Sequence, residues 1–373
     1  MINAMKRKTI FAVGGGKGGV GKSIFSIALG TVLAQKGNSV ILVDLDLGAS
    51  NLHTYIGITK KTPTIADFIL RKVSSLEDVI VETSLKDLRL ISGAEFLPGM
   101  ANPAHWMKLK IMRHIRALQA DVIIIDLGAG VHFNTLDFFS MANRGIIITA
   151  AEPGAVMNAY SFIKGALFRK LQNVFRHHAT IGSIIDAESK KTEDEAEFTI
   201  RWLTGQINQH APDMLPIIQE IERAFNPALV ANRIPEGSTP LLIKNLLDLC
   251  INKIGVSLEH IGNIPDIPAI TRHLLNIPGF LTSRDGRMYY SAVREIVGRA
   301  ALPVEHEAPD ISIKLDYSDE EVEEIIQFMD RLDDRVFSGS KRDAWKLRMF
   351  FKPVEVVNFL ISRGVTHDVF YRE

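Results

Sequence analysis

The stretch that decides the fold runs from Thr9 to Ser26 and reads TIFAVGGGKGGVGKSIFS. An apolar run at 9–13 leads into a glycine-rich turn, and the turn opens onto a helical pattern that begins at Lys22. Residues 16–23 satisfy the spacing G-x-x-x-x-G-K-[ST]. This order of strand, loop and helix predicts a phosphate-binding loop.

Each residue type in the loop has a chemical reason. Successive glycines let the backbone turn its N–H groups toward an anion without interference from a Cβ atom. The helix that follows adds free amide groups and the positive end of its dipole. We expect Lys22 to reach the β- and γ-phosphates of a nucleotide and the Ser23 hydroxyl to bind Mg²⁺. The full spacing between strand and helix favours this interpretation over a flexible glycine turn.

A second lysine, Lys17, directly follows the first glycine of this motif. The loop therefore resembles the deviant phosphate-binding loop, K-G-G-x-G-K-[ST], of the MinD/ParA ATPase family. The resemblance implies that Lys17 reaches the nucleotide of a partner subunit, so that ATP holds a homodimer together. A physical argument agrees, because a second cation near the γ-phosphate stabilises both binding and the transition state of phosphoryl transfer.

Two carboxylates, Asp44 and Asp46, follow the apolar strand predicted at 39–43. The carboxyl ends of parallel strands form the edge at which ligands bind. The segment resembles the D-x-D segment of the same family, which implies that Asp46 orients the attacking water and that Asp44 helps to organise the metal site. A solvated turn is the alternative, and the apolar strand directly before Asp44 disfavours it.

A second buried strand is predicted at 121–126, and it ends in Asp126 followed by Leu-Gly-Ala-Gly. This is the Walker B pattern, so Asp126 is expected to hold Mg²⁺ and Gly128 to let the backbone approach the γ-phosphate. The segment is similar to D-x-G-A-G in the FlhG/FleN branch of the family. Residues 152–164, EPGAVMNAYSFIK, resemble E-P-x-A-x-x-x-A-Y-x-x-I-K of that branch, which implies a helix at the dimer face.

The base of the nucleotide is expected to lie near two later strands. In the family an Asn-Arg pair recognises adenine, which makes Asn232 the candidate here, and 258–266 resembles a segment whose loop borders the base. An ordinary turn remains open for Pro265 and Asp266. Catalytic roles are expected for Lys17, Lys22, Asp46 and Asp126, and metal binding for Ser23, Asp46 and Asp126. The expected nucleotide contacts are Gly16, Lys17, Gly18, Gly19, Val20, Gly21, Lys22, Ser23, Ile24, Asp44, Gly128, Asn232, Pro265 and Asp266.

The composition of the 373 residues excludes some classes of protein. Lys plus Arg and Asp plus Glu both number 43, so no overall field attracts the chain to DNA or to a membrane. The single cysteine, Cys250, lies in an apolar helical pattern, which predicts a buried thiol and excludes a disulfide framework. The start of the chain lacks a signal-peptide core and no apolar run reaches about 18 residues, so we expect a cytoplasmic location.

We expect an α/β fold, a doubly wound and mainly parallel sheet of the P-loop NTPase (SIMIBI-like) type with a small helical C-terminal module. The ATPase domain is expected at 1–300 with an insertion at about 186–227, helical over 198–225. A linker at 301–312 and the helical module at 313–373 follow. Residues 51–87 are expected to be helical and polar, and 188–197 exposed. A solvated or partner-binding surface is expected from Lys108, Lys110, Arg113, His114 and Arg116. A basic patch without a metal site is expected from Arg169, Lys170, Arg176, His177 and His178.

Residues 341–352 interleave five basic with five large apolar residues. MinD and FlhG attach to membranes through a C-terminal amphipathic helix, and this is the comparable segment here. Peripheral membrane contact and packing within the helical module both stay open.

The sequence thus predicts a Mg·ATP-dependent, dimerising switch with slow ATP hydrolysis that a protein partner stimulates. The nearest process is the placement or number control of flagella or of a similar assembly. One alternative is a ParA-type partition ATPase that binds DNA without sequence preference. Another is a nucleotide-gated scaffold for a protein partner. A metabolic ligase on the same fold is disfavoured, because those enzymes lack the deviant lysine.

Overall fold

The computed structural model describes residues 8–47, 49–93, 105–176, 178–191, 198–235 and 240–300. The predicted linker at 301–312, the predicted helical module at 313–373 and the segment considered for membrane contact lie outside the described residues, as does His177.

An eight-stranded sheet forms the centre of the described part, in the order β3-β4-β2-β5-β1-β6-β7-β8. Neighbouring strands are parallel except for β3, which is antiparallel to β4 at one edge. The strands are β1 Thr9–Gly14, β2 Val40–Leu45, β3 Ile80–Glu82, β4 Leu88–Ile91, β5 Val122–Leu127, β6 Arg144–Ala150, β7 Ala228–Ile234 and β8 Glu259–Pro265. The predicted mainly parallel α/β sheet is confirmed.

Helices cover both faces of this sheet. They are α1 Lys22–Gln35, α2 Leu52–Ile56, α3 Ile65–Ile69, α4 His105–Ala117, α5 Phe133–Ser140, α6 Pro153–Phe175, α7 Ala179–Glu188, α8 Ile200–His210, α9 Leu215–Ala224, α10 Leu241–Ile254, α11 Ile277–Thr282 and α12 Arg287–Ala300. Short 3₁₀ turns lie at Glu77–Val79, Pro212–Met214 and Pro268–His273. None of the helices within these described ranges is long and apolar enough to cross a membrane.

The central strands β2 and β5 are apolar up to Asp44 and Asp126 near their carboxyl ends, because both faces of the sheet are covered. All six residues of β2 and of β5 are buried. Ile123 packs into the layer that contains α4, α5 and α6, whereas Ile124 packs into the layer that contains α1, α11 and α12. Such continuous burial is typical of parallel strands between two helix layers.

The expectation that 51–87 is helical and polar is wrong in part. The segment folds as α2, α3, a 3₁₀ turn and the edge strand β3. Gly57, with φ of 86°, ends α2 after five residues. The Thr64 and Asp67 side chains and backbone amides form a capping box that starts α3. Local caps and pairing with β4 therefore override the helical pattern.

The helices expected within the insertion are confirmed as α8 and α9, which Pro212 separates. They pack through one apolar side, and the ring of Phe198, just before α8, contacts the ring of Phe168 on α6 with centroids 4.7 Å apart. The exposure expected over 188–197 is confirmed for 189–191 and wrong for Glu188, and 192–197 lie outside the described residues. The side chain of Glu188 is buried at the end of α7 and pairs with Lys191 at 2.6 Å.

Candidate nucleotide-binding site

The loop between β1 and α1 has the shape that its glycines require. Gly21 precedes α1 with φ of 95°, a left-handed conformation that residues with a Cβ rarely adopt, and no side chain caps the helix. A Cβ atom on Gly16 would lie only 2.0 Å from the carbonyl oxygen of Asn158 on α6. The first amides of α1 therefore face the loop without a side-chain cap, as an anion site needs.

The two lysines of the loop occupy different environments. Lys22 is buried, and its ammonium donates a hydrogen bond to the Lys17 carbonyl oxygen at 3.3 Å. Burial lowers the pKa of Lys22, and the negative charges of Asp126 and Asp46 oppose this effect. Lys17 is half exposed, and its ammonium pairs with the Glu152 carboxylate at 2.8 Å. One lysine thus lies inside the site and the other at its outer edge.

Asp126 lies at the end of β5 and is almost completely buried. The Ser26 hydroxyl donates to it at 2.7 Å, and the Ser23 side chain is also hydrogen-bonded to it. Burial, together with the charge of Asp44, raises the pKa of Asp126 to about 7. The serine hydrogen bonds and the positive charge of Lys22 therefore do not offset the effect of burial on this carboxylate.

Asp46 completes a set of hard oxygen donors with Ser23 and Asp126. Burial raises the pKa of Asp46, whereas the charge of Lys22 lowers it. Gly128 lies directly beside this carboxylate, since a Cβ on Gly128 would be 2.9 Å from Asp46 Oδ1. Mg²⁺ favours a hydroxyl and one or two carboxylates combined with phosphate oxygens. The donor set, with an under-compensated buried carboxylate, fits a magnesium-bound nucleotide.

Asp44 acts on the site indirectly. One of its oxygens accepts the backbone N–H of Asp46, and the other accepts the Ser50 hydroxyl and the backbone N–H groups of Asn51 and Leu52, all within 3.1 Å. These four bonds engage both oxygens of the carboxylate. Asp44 therefore fixes the loop that carries Asp46 and the start of α2.

Residues expected near the base come together in an open pocket beyond the phosphate loop. The Asn232 amide nitrogen donates to the Val20 carbonyl at 2.7 Å, and its oxygen accepts the N–H of Arg233 at 3.0 Å. Asn232 thus ties the phosphate loop to β7. The pocket is lined by Gly21, Ile24, Asn232, Arg233, Pro265, Asp266, Ile267, Ile270 and Tyr289.

The two basic surfaces predicted from the sequence are wrong at their central residues. Lys108 is buried and forms an ion pair with Asp137 on α5, and Arg169 donates to the same carboxylate at 2.7 Å. Lys110 is buried above the ring of Phe68, 4.6 Å from its centroid. The counter-charge of Asp137, an acid within the apolar helix α5, was the signal that the sequence analysis missed.

Two further outcomes concern single side chains. His178 accepts the N–H of Ile181 at 3.2 Å and caps α7, so it belongs to the helix start rather than to a basic patch. Cys250 is buried as predicted, and burial raises the pKa of its thiol to about 12.

A parallel α/β sheet whose first strand feeds a G-x-x-x-x-G-K-[ST] loop and a helix, with acidic residues at the ends of β2 and β5, defines a P-loop nucleotide-binding protein. The profile of the CobQ/CobB/MinD/ParA nucleotide binding domain matches residues 11–277. The chain therefore belongs to this family, and the predicted MinD/ParA membership is confirmed.

Similar proteins agree with this assignment. The antiactivator FleN of Pseudomonas aeruginosa is 31% identical over 173 residues, 44% of this chain and 58% of FleN. The septum site-determining protein MinD of Thermotoga maritima is 31% identical over 40% of this chain and 55% of MinD. The flagellum site-determining protein YlxH of Helicobacter pylori is 30% identical over 41% of this chain and 52% of YlxH. The chain thus matches little more than half the length of these relatives.

Solved structures show the same fold. The septum site-determining protein MinD from Pyrococcus horikoshii, complexed with Mg-ADP, superposes with a TM-score of 0.52 at 18% identity, over 80% of this chain and 99% of that one. A ParA family ATPase from Chlorobium tepidum gives a TM-score of 0.51 at 15% identity, over 78% of this chain and 97% of that one.

Proposed function

We propose that the protein is a Mg·ATP-dependent switch ATPase that dimerises around its nucleotides and hydrolyses ATP slowly. The observation that carries this proposal is the position of Lys17. It lies at the exposed edge of the phosphate loop, while Lys22 already occupies the interior. A second cation at this outer edge would stabilise the negative charge of a phosphate group that another subunit brings there.

The residues of the site divide the work of phosphoryl transfer. Lys22 and the loop amides would bind the β- and γ-phosphates, Ser23 and Asp126 would hold Mg²⁺, and Asp46 would orient the attacking water. When bound, Mg²⁺ neutralises charge that develops on the phosphate oxygens. Asp44 keeps the Asp46 loop in place, and Gly128 leaves room for the backbone to approach the γ-phosphate.

The surface around Lys17 supports a dimer. Val131, Phe133 and Met157 are large apolar side chains that are each about half exposed or more, and they belong to the segments that follow β5 and β6. Dimer formation would require Lys17 to leave Glu152 for the partner's phosphate. The pair is largely exposed, and such pairs contribute little stability, so exchanging it costs little.

The relatives suggest the process in which the switch acts. Their names refer to antiactivation, to the siting of the septum and to the siting of the flagellum. We therefore propose a role in the placement or number control of flagella or of a similar assembly, with a protein partner that stimulates hydrolysis.

Hydrolysis and mass in solution test this proposal together. With Mg·ATP the wild type should form a dimer by light scattering, and Asp46→Ala should remain dimeric while it loses turnover. Lys17→Ala should stay monomeric and lose turnover by about a hundredfold, the usual effect of removing a group that stabilises the transition state. Lys72→Ala, which removes an exposed lysine paired with Asp67, is the matched control and should behave like the wild type. Wild-type turnover and dimerisation in Lys17→Ala would refute the proposal.

A further inference from the structure

The base pocket contains one deeply buried polar group that the predicted nucleotide contacts do not account for. Tyr289 on α12 is 3% exposed, and its hydroxyl has no hydrogen-bond partner among the residues that the structure describes. A buried hydroxyl without a partner costs free energy in the folded protein. In a pocket wall, such a group can be satisfied by a hydrogen bond to a bound ligand.

Tyr289 is part of the pocket wall, together with Arg233. Burial raises the pKa of Tyr289 and the charge of Arg233 lowers it by less, so the hydroxyl keeps its proton at neutral pH. It can therefore donate as well as accept a hydrogen bond.

The packing around the ring fixes its position. The rings of Tyr289 and Phe280 meet edge to face with centroids 6.3 Å apart. The next residue, Tyr290, points elsewhere, and its hydroxyl donates to Gln35 on α1 at 2.6 Å. Two adjacent tyrosines on α12 thus differ in one respect that matters here: one hydroxyl is satisfied and the other is not.

The other polar groups of the pocket do not provide a buried hydrogen-bonding group for the base. Asn232, the residue expected to read the base edge, is already bonded to Val20 and to the Arg233 backbone. Arg233 and Asp266 are exposed at the pocket rim. The inner wall is otherwise apolar, with Ile24 and Pro265 among its residues, which suits the faces of a planar ring.

We infer that the Tyr289 hydroxyl forms a hydrogen bond with the adenine ring of the bound nucleotide and contributes to selection of the base. This inference rests on the proposed function, because it assumes that the phosphate loop binds an adenine nucleotide. Adenine offers ring nitrogens that accept a hydrogen bond and an amino group that donates one. Either satisfies the hydroxyl, and a nucleotide then gains affinity that a bare polyphosphate does not.

Calorimetry would measure the binding of two ligands, Mg·ADP and Mg·pyrophosphate, to the full chain carrying Tyr289→Phe or Tyr290→Phe. Pyrophosphate lacks the base, and ADP is used because it is not hydrolysed during the measurement. Tyr289→Phe should weaken ADP binding about three- to tenfold, the effect of one hydrogen bond, and leave pyrophosphate binding unchanged. Without ligand, its thermal unfolding temperature should equal or exceed that of the wild type, because the mutation removes an unsatisfied hydroxyl. Tyr290→Phe should bind both ligands like the wild type.

The other outcomes overturn the inference in distinguishable ways. Unchanged ADP affinity in Tyr289→Phe would refute the inferred hydrogen bond between Tyr289 and the base and would leave the proposed function unaffected. An equal loss for ADP and pyrophosphate would mean that Tyr289 acts through the shape of the phosphate loop. A wild-type protein that binds neither ligand would remove the proposed function, and this inference with it.

Discussion

Two buried aspartates, one on each side of the β5–α5 connection, have pKa values that shift in opposite directions. Asp126 at the end of β5 accepts hydrogen bonds from serine hydroxyls, and burial helps to raise its pKa to about 7. Burial also acts on Asp137 of α5, but hydrogen bonds from Arg169 and the charge of Lys108 outweigh it and lower the pKa of Asp137. Both side chains are nearly inaccessible to solvent.

The difference separates a functional charge from a structural one. Asp137 has two cations and the Asn173 amide around it, so the folded chain alone satisfies it. The positive charge around Asp126 is too small to compensate its buried negative charge, and Mg²⁺ would supply the missing positive charge. A protein that binds a cation reversibly must tolerate such a deficit in the empty state, and perturbed carboxyl groups accordingly concentrate at functional sites.

The largest expected effect is on stability. Asp137→Ala should lower the free energy of unfolding by about 3–5 kcal/mol, because it leaves Lys108 and Arg169 buried without a counter-charge. Urea unfolding followed by circular dichroism measures the loss. Glu295→Ala breaks the exposed pair with Arg299 and is the control, with an expected loss below about 1 kcal/mol. Similar losses in the two variants would contradict a structural role for Asp137.

The next effect separates the two aspartates by ligand binding. Asp126→Asn should not destabilise the protein without nucleotide, because it removes an under-compensated charge next to Asp44. It should weaken ATP binding in Mg²⁺ by at least about tenfold and leave binding in EDTA nearly unchanged, because a metal ligand is lost. Asp137→Asn, compared at a urea concentration where both variants stay folded, should keep the Mg²⁺ dependence of the wild type. A large loss of stability in Asp126→Asn would contradict the distinction between a functional charge at Asp126 and a structural charge at Asp137.

The smallest effect concerns acid pH. The folded-state pKa of Asp137 is lowered, so its ionised form stabilises the protein above the unfolded-state pKa of about 3.9, and this contribution is lost as the pH falls through the folded-state value. The stability advantage of the wild type over Asp137→Asn should therefore be constant between pH 7 and 5 and shrink at pH 3. Urea unfolding at these three pH values measures it. A constant advantage down to pH 3 would show that the charge of Asp137 is not what stabilises α5.

The sequence predicted those parts of the fold and site that depend on consecutive residues. The loop at 16–23, the strands that end in Asp44 and Asp126 and the helix after Glu152 each have a local pattern. The burial of Lys108 was not predictable in this way, because it depends on a counter-charge that the fold brings from α5. Nor could the sequence show that Asn232 would bond to the Val20 carbonyl across the sheet. Both of these features depend on long-range contacts, whereas the prediction for 51–87 failed partly because local caps interrupt the helical pattern.

The close approach of Gly16 to the Asn158 carbonyl links the phosphate loop mechanically to the first turns of α6. The gap is narrower than one methyl group, so a shift of the loop toward α6 would displace that helix, which carries the exposed side chain of Met157.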